Sequence, residues 1–159
     1  MKKICSFFGH KEIEINENLK IKLKEYIENL IQNEHFDIFY FGGFSNFDDL
    51  CWQIVTELKE KHNHIKRIYC LTDQRHLRPS KRPMWLKNED YEDFIYLPLT
   101  YEYWVKRIYY RNCEMINSSN LVIFYITNTE NSGAFKAMQY AQKKKIKFIN
   151  FVDIISNYN

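Results

Sequence analysis

Short runs that are apolar throughout, separated by longer stretches with helical spacing, restrict the fold of this chain more than any other feature. Residues 121–126 read LVIFYI, with nothing strongly polar to turn toward water. A strand with one wet face alternates apolar and polar residues, whereas a strand apolar on both sides belongs in a parallel sheet between helix layers. Residues 3–8 (KICSFF), 38–41 (IFYF) and 67–71 (RIYCL) read the same way. Residues 94–97 read as a short strand ended by Pro98, and 148–152 as a last strand. Between them, residues 19–31 place Ile21, Leu23, Tyr26, Ile27, Leu30 and Ile31 at helical intervals. Residues 47–61 put Leu50, Ile54, Val55 and Leu58 on one face, and 101–116 and 133–144 read as two more helices. The alternation predicts one Rossmann-like α/β domain over residues 1–159, three layers deep, with an open, mostly parallel sheet.

Composition narrows the class. Hydrophobic residues at 45% and charged residues at 27% suit a globular domain. A net charge of +3 is too mild to argue by itself for nucleic acid. No apolar run approaches the roughly 20 residues of a membrane span, and the first ten residues reach Gly9-His10 too early for a signal peptide. Cys5, Cys51, Cys70 and Cys113 form no CxxC pair, which fits reduced, buried thiols and a cytoplasmic protein. Aromatics reach 17%, more than a small core needs, so some are expected at a pocket or interface.

The four glycines fall at the strand ends: Gly9 after the first strand, Gly42 and Gly43 after the second, Gly133 at the helix after LVIFYI. In open parallel sheets these carboxyl-end turns form the ligand crevice. Glycine lets a backbone approach a ligand closely, and a helix start behind it offers N–H groups to an anion. Tight turns alone also favour glycine. Polar residues gather at the same turns: His10, Ser45, Asn46, Asp48, Asp49, and the run 127–132. Asn46 or Asp48 capping the second helix, and Ser132 capping the later one, is the plainer reading. Arg111 stands four residues after Arg107, an arrangement that suits a bound anion, or an ion pair with Glu114.

The segments CSFFGH, FGGFSNFDDL, YYRNCEMINSSNLVIFY and NSGAFKAMQYAQKKKIKFINF, taken in order, resemble the SLOG superfamily and within it the bacterial DUF1273-like group. The resemblance implies a Rossmann-like fold that binds nucleotides or nucleotide-derived ligands. Relatives in that superfamily include cytokinin-activating phosphoribohydrolases, DprA-like DNA-processing proteins and sensors of ADP-ribose-type signals. It matches Arg111 and Asn112 to an Arg-Asn pair before a strand. Where the phosphoribohydrolases carry a catalytic glutamate in a GGxGTxxE helix start, this chain has Lys136. Asp48 and Glu130 are the carboxylates left to take that part. Asn46 replaces a glycine common in the wider superfamily, and is expected to keep the turn and add a hydrogen-bonding group toward the ligand.

Other constellations are less pointed. The histidines lack metal spacing, and His62 and His64 read as solvent-exposed. Neither HExxH nor a nucleophile elbow is present. The basic loop Arg75–Arg82, within the polar stretch 72–88, reads as a lid over phosphates, a nucleic-acid contact, or an ordinary solvated loop. Together these readings predict a nucleotide-binding protein, with Gly9, His10, Gly42, Gly43, Asn46, Asp48, Arg111, Asn112, Ser132 and Gly133 around the ligand. No metal or other cofactor is called for, nucleic acid and membrane are not expected as partners, and a homo-oligomer is compatible. An N-glycosidase or phosphoribohydrolase using Asp48 or Glu130 is the enzyme alternative, and single-stranded DNA binding is a second.

Overall fold

The computed structural model describes residues 2–97, 106–128 and 132–156. It is an α/β domain whose sheet has six strands, all parallel, in the order β4-β3-β2-β1-β5-β6. The strands are β1 (Ile4–Gly9), β2 (Ile38–Phe41), β3 (Lys66–Leu71), β4 (Asp93–Tyr96), β5 (Leu121–Tyr125) and β6 (Phe148–Asn150). The helices are α1 (Glu17–Gln32), α2 (Asn46–Lys61), α3 (Arg107–Ser118), α4 (Gly133–Lys143) and α5 (Phe151–Ser156). The order reverses between β1 and β5, so a crevice opens beyond their carboxyl ends.

The all-apolar strands feed two cores. Cys5, Phe7, Phe39, Phe41, Tyr69, Leu71 and Ile123 pack with α1, α2 and α5 on one face. Phe8, Tyr40, Ile68, Cys70, Val122 and Phe124 pack with α3 and α4 on the other. Adjacent residues in a strand point to opposite faces, so Phe7 and Phe8 must both be apolar. Ser6 is buried among them, and its hydroxyl shares a 2.7 Å hydrogen bond with that of Ser119 at the end of α3. All four cysteines are free thiols and buried. Among the described residues no helix is long and apolar enough to cross a membrane.

Two sequence-based boundaries need correction. Residues 148–152 divide into β6, which stops at Asn150, and α5, which starts at Phe151. The Asn150 side chain causes the break: its Oδ1 accepts from the Ile126 and Val152 N–H groups while its Nδ2 donates to the Ile126 carbonyl. The stretch 72–88 is not a featureless loop. It carries short 3₁₀ turns at Gln74–Leu77 and Pro79–Lys81, and a further one follows at Asn88–Asp90. The expected helix over 101–116 is α3 from Arg107 on, and residues 101–105 lie outside the described residues.

Gly9 sets how closely α2 approaches β1. A Cβ at this position would stand 2.6 Å from Cβ of Phe47, which is fully buried in the first turn of α2. Backbone-anchored atoms cannot rotate away, so the helix itself would have to shift. Gly9→Ala is expected to cost about 1–3 kcal/mol through overpacking. Urea titration should show a lower midpoint with an unchanged slope.

Candidate functional site

Beyond the β1 and β5 ends lies a cavity of about 410 Å³, lined by Gly9 and His10 after β1, Gly43, Ser45 and Asp48 after β2, Arg111 and Asn112 from α3, and Ser132 and Gly133 at the start of α4. Residues separated by more than 120 positions in sequence converge because every β-strand delivers its carboxyl end to the same edge. Gly42 is just behind this wall, and Asn46 is not part of it. Glu130 lies outside the described residues.

Arg111 is the centre of this site. It is 3% exposed. Its Nη1 donates to the Cys70 carbonyl at 3.3 Å, and its Nε and Nη2 donate to Asn112 Oδ1 at 3.3 and 3.1 Å. These acceptors are neutral, and among the described residues no carboxylate forms an ion pair with the guanidinium. The alternative, a pair with Glu114, does not form, and Arg107 turns to Asp73 at 3.9 Å. A buried charge solvated only by neutral dipoles remains electrostatically unsatisfied. Gly42 makes room for it: a Cβ there would stand 2.9 Å from Arg111 Cζ.

Asp48 faces the same cavity from the first turn of α2. Its Oδ2 accepts from Ser45 Oγ at 2.6 Å, while its buried Oδ1 has no hydrogen-bond partner. Burial pushes its carboxyl up to about 7, against the opposing effects of the Ser45 hydrogen bond and the Arg111 charge. Gly43 is required here for a reason other than ligand approach, since a Cβ would collide with Asp48 Oδ2. No glycine among the described residues has a positive φ, so Gly9, Gly42 and Gly43 serve close packing rather than unusual backbone. Gly133 differs: nothing lies within 4 Å of its Cβ position, which is open.

Several side chains have other partners than sequence reasoning assigned. Neither Asn46 nor Asp48 caps α2; Ser45 does, accepting from the Asp48 N–H at 3.0 Å. The Asn46 amide is spent on Ile13, accepting from its N–H at 2.9 Å and donating to its carbonyl at 2.8 Å. It therefore ties the loop after β1 to α2 instead of reaching a ligand. Ser132 does cap α4, accepting from the Phe135 N–H at 3.1 Å. His10 Nε2 accepts from the Thr127 N–H at 3.1 Å, joining the ends of β1 and β5. Lys136 is exposed in a groove between α3 and α4, away from the strand ends. His62 is not free in solvent but bonds Glu28 at 3.1 Å.

One arginine ties the basic loop back to itself, while Arg75, Arg78 and Lys81 stay exposed. Arg82 donates to the carbonyls of His76 and Leu77 and to Asn88 Oδ1, and stacks 3.7 Å over Phe94. Arg75 grips Asp73. Thus two of the loop's arginines brace it, and the segment that follows brings Trp85 and Leu86 to a second cavity. Sequence reasoning missed Trp85, together with Phe44, Trp52, Tyr69 and Tyr91, which wall this smaller cavity beside the first. The excess of aromatics was the available signal, but nothing in their spacing says that they meet. Among the described residues no group of three or more His, Cys, Asp or Glu side chains is arranged to hold a metal ion.

No protein-family model matches the chain, and no curated protein matches it.

Asp48 makes stability depend on pH. With a folded pKa near 7 against about 3.9 for unfolded Asp, it holds a proton that the unfolded chain has released. Its contribution is therefore present in full below about pH 4 and lost as pH rises through about 7. Asp48→Asn should gain stability relative to wild type between about pH 4 and pH 8, by about 1–4 kcal/mol. Urea titrations of both proteins across that range test this, and a flat difference contradicts a protonated buried carboxyl.

Proposed function

We propose that this chain binds a nucleotide-type ligand at the carboxyl ends of its strands, with phosphate held by Arg111 and the start of α4, as the resemblance to SLOG proteins implies. The supporting observation is the buried Arg111 guanidinium, which has only neutral partners among the described residues and borders the strand-end cavity. A phosphate accepts charge-assisted hydrogen bonds from such a group and returns the charge that burial removed from water. The first turn of α4, opened by Ser132 and Gly133, lines the same cavity, and a helix start carries free N–H groups and a positive dipole end. Asp48 lines the same cavity and carries a buried oxygen with no hydrogen-bond partner.

Ligand binding to the folded state raises the melting temperature by mass action. AMP and ADP-ribose are expected to raise it, adenosine much less, and Arg111→Ala should remove the difference. Gly133→Pro supplies a second test that leaves the fold in place. Proline is favoured at the first position of a helix, and Ser132 at φ −106°, ψ 157° already has the extended backbone that precedes it. The substitution deletes one N–H of a residue that lines the cavity and should weaken phosphate-bearing ligands about 3- to 10-fold. Equal shifts from AMP and adenosine would refute the phosphate assignment.

One observation favours an enzyme as the second reading. A carboxyl raised to about 7 beside an arginine has the protonation behaviour of a general acid for an N-glycosidic bond. Release of free base from nucleoside monophosphates, absent in Asp48→Asn, is the expected sign, and no release above background from any of them excludes it.

A further inference from the structure

The cavity beside the anion site is built differently. On the far side of Gly43 and Asp48, about 210 Å³ of space is walled by Phe44, Trp52, Tyr69, Trp85 and Tyr91. Trp85 meets the Phe44 ring at 5.0 Å and the Tyr69 ring at 6.4 Å. Phe44 is 65% and Trp85 56% exposed, so two large rings stand over the opening with much of their surface wet. Trp52 is fixed deeper in by its Nε1–H, which donates to the Asp90 carbonyl at 3.1 Å.

The polar lining of this cavity is acidic. Asp48, Asp49 and Asp90 border it, and among the described residues no lysine or arginine does. The unpartnered Asp48 Oδ1 belongs to a side chain that lines both cavities, while Gly42, against which Arg111 packs, lines the aromatic one. Neighbouring spaces thus differ in chemistry, one cationic and one aromatic with hydrogen-bond acceptors. The aromatic cavity falls below the roughly 300 Å³ at which whole ligands are usually housed, so it suits one ring system of a larger molecule.

We propose that the aromatic cavity is the base subsite of the same ligand and selects an amino-bearing base, as in an adenine, guanine or cytosine nucleotide, over uracil. The inference rests on the reading of Arg111 as the phosphate anchor. Rings of either size stack on Trp and Tyr faces. Carboxylates accept from exocyclic amines, as acidic side chains do from the cytosine amine. The two carbonyls that flank the single N3–H of uracil would face the Asp49 and Asp90 carboxylates instead.

Calorimetric titration with AMP, UMP, ribose 5-phosphate and adenosine, on wild type and Trp85→Ala, decides the matter. Trp85 is mostly exposed, so its removal should leave the fold intact. AMP should bind about 5- to 100-fold more tightly than ribose 5-phosphate, and more tightly than UMP. Trp85→Ala should bring AMP down to the level of ribose 5-phosphate without changing the latter. If AMP, UMP and ribose 5-phosphate bind alike and all weaken in Gly133→Pro, the base subsite is wrong and the phosphate reading stands. If adenosine binds as tightly as AMP and Trp85→Ala abolishes both, the ring subsite stands and the phosphate reading falls. Absence of binding by all four ligands overturns both.

Discussion

A parallel sheet has to be covered on both faces, because its crossover helices occupy both and its strands carry no polar face to give to water. Here that requirement organises everything else. It makes residues such as Phe7 and Phe8 both apolar, divides the core into two clusters, and sends every strand's carboxyl end to one edge. The strand order reverses between β1 and β5, so helices leave that edge in opposite directions and a crevice remains. The crevice is thus a product of the same packing that stabilises the domain.

Inside it, the two buried charges are kept apart. Arg111 and Asp48 line one cavity, yet neither neutralises the other by direct contact. Arg111 leans on the Cys70 carbonyl and the Asn112 amide, while Asp48 leans on the Ser45 hydroxyl. The two charges are therefore each solvated by neutral partners rather than by one another. The glycines hold this separation. Gly42 gives room to the guanidinium and Gly43 to the carboxylate, so each side chain sits against backbone where a Cβ would otherwise stand.

Amide side chains do the corresponding work for the loops. Asn46 pairs with the Ile13 backbone, and Asn150 pairs with that of Ile126. Each replaces a strand-like pair of hydrogen bonds just where the sheet ends, satisfying backbone groups that would otherwise lack partners. With His10 joined to Thr127 as well, the rims of β1 and β5 are held by side chains from distant parts of the chain. Arg82 performs this service for the segment that carries Trp85. Surface loops rely on such bracing where they have few apolar contacts of their own.

Much of this was legible in the amino-acid sequence. Apolar runs and helical spacing determined the α/β class and most element positions, since burial on both faces leaves a composition that no surface strand would have. The glycines and polar residues at strand ends located the crevice, and Arg111, Asp48, His10 and Gly133 do border one cavity. The reasons for the glycines were not legible, because a close approach depends on which side chain lies opposite, and Phe47, Arg111 and Asp48 are placed only by helix packing. Nor could spacing tell that Asn46 would turn to Ile13, or that β6 would stop at Asn150. The aromatic cavity is the clearest case. Phe44 precedes α2, Trp52 lies on it, Tyr69 is in β3, and Trp85 and Tyr91 are in the connection from β3 to β4, with no common period. Local sequence determines periodicity, and so which elements form. Only the tertiary structure decided which rings and charges share a wall, because that depends on long-range packing in which each contact is set by all the others.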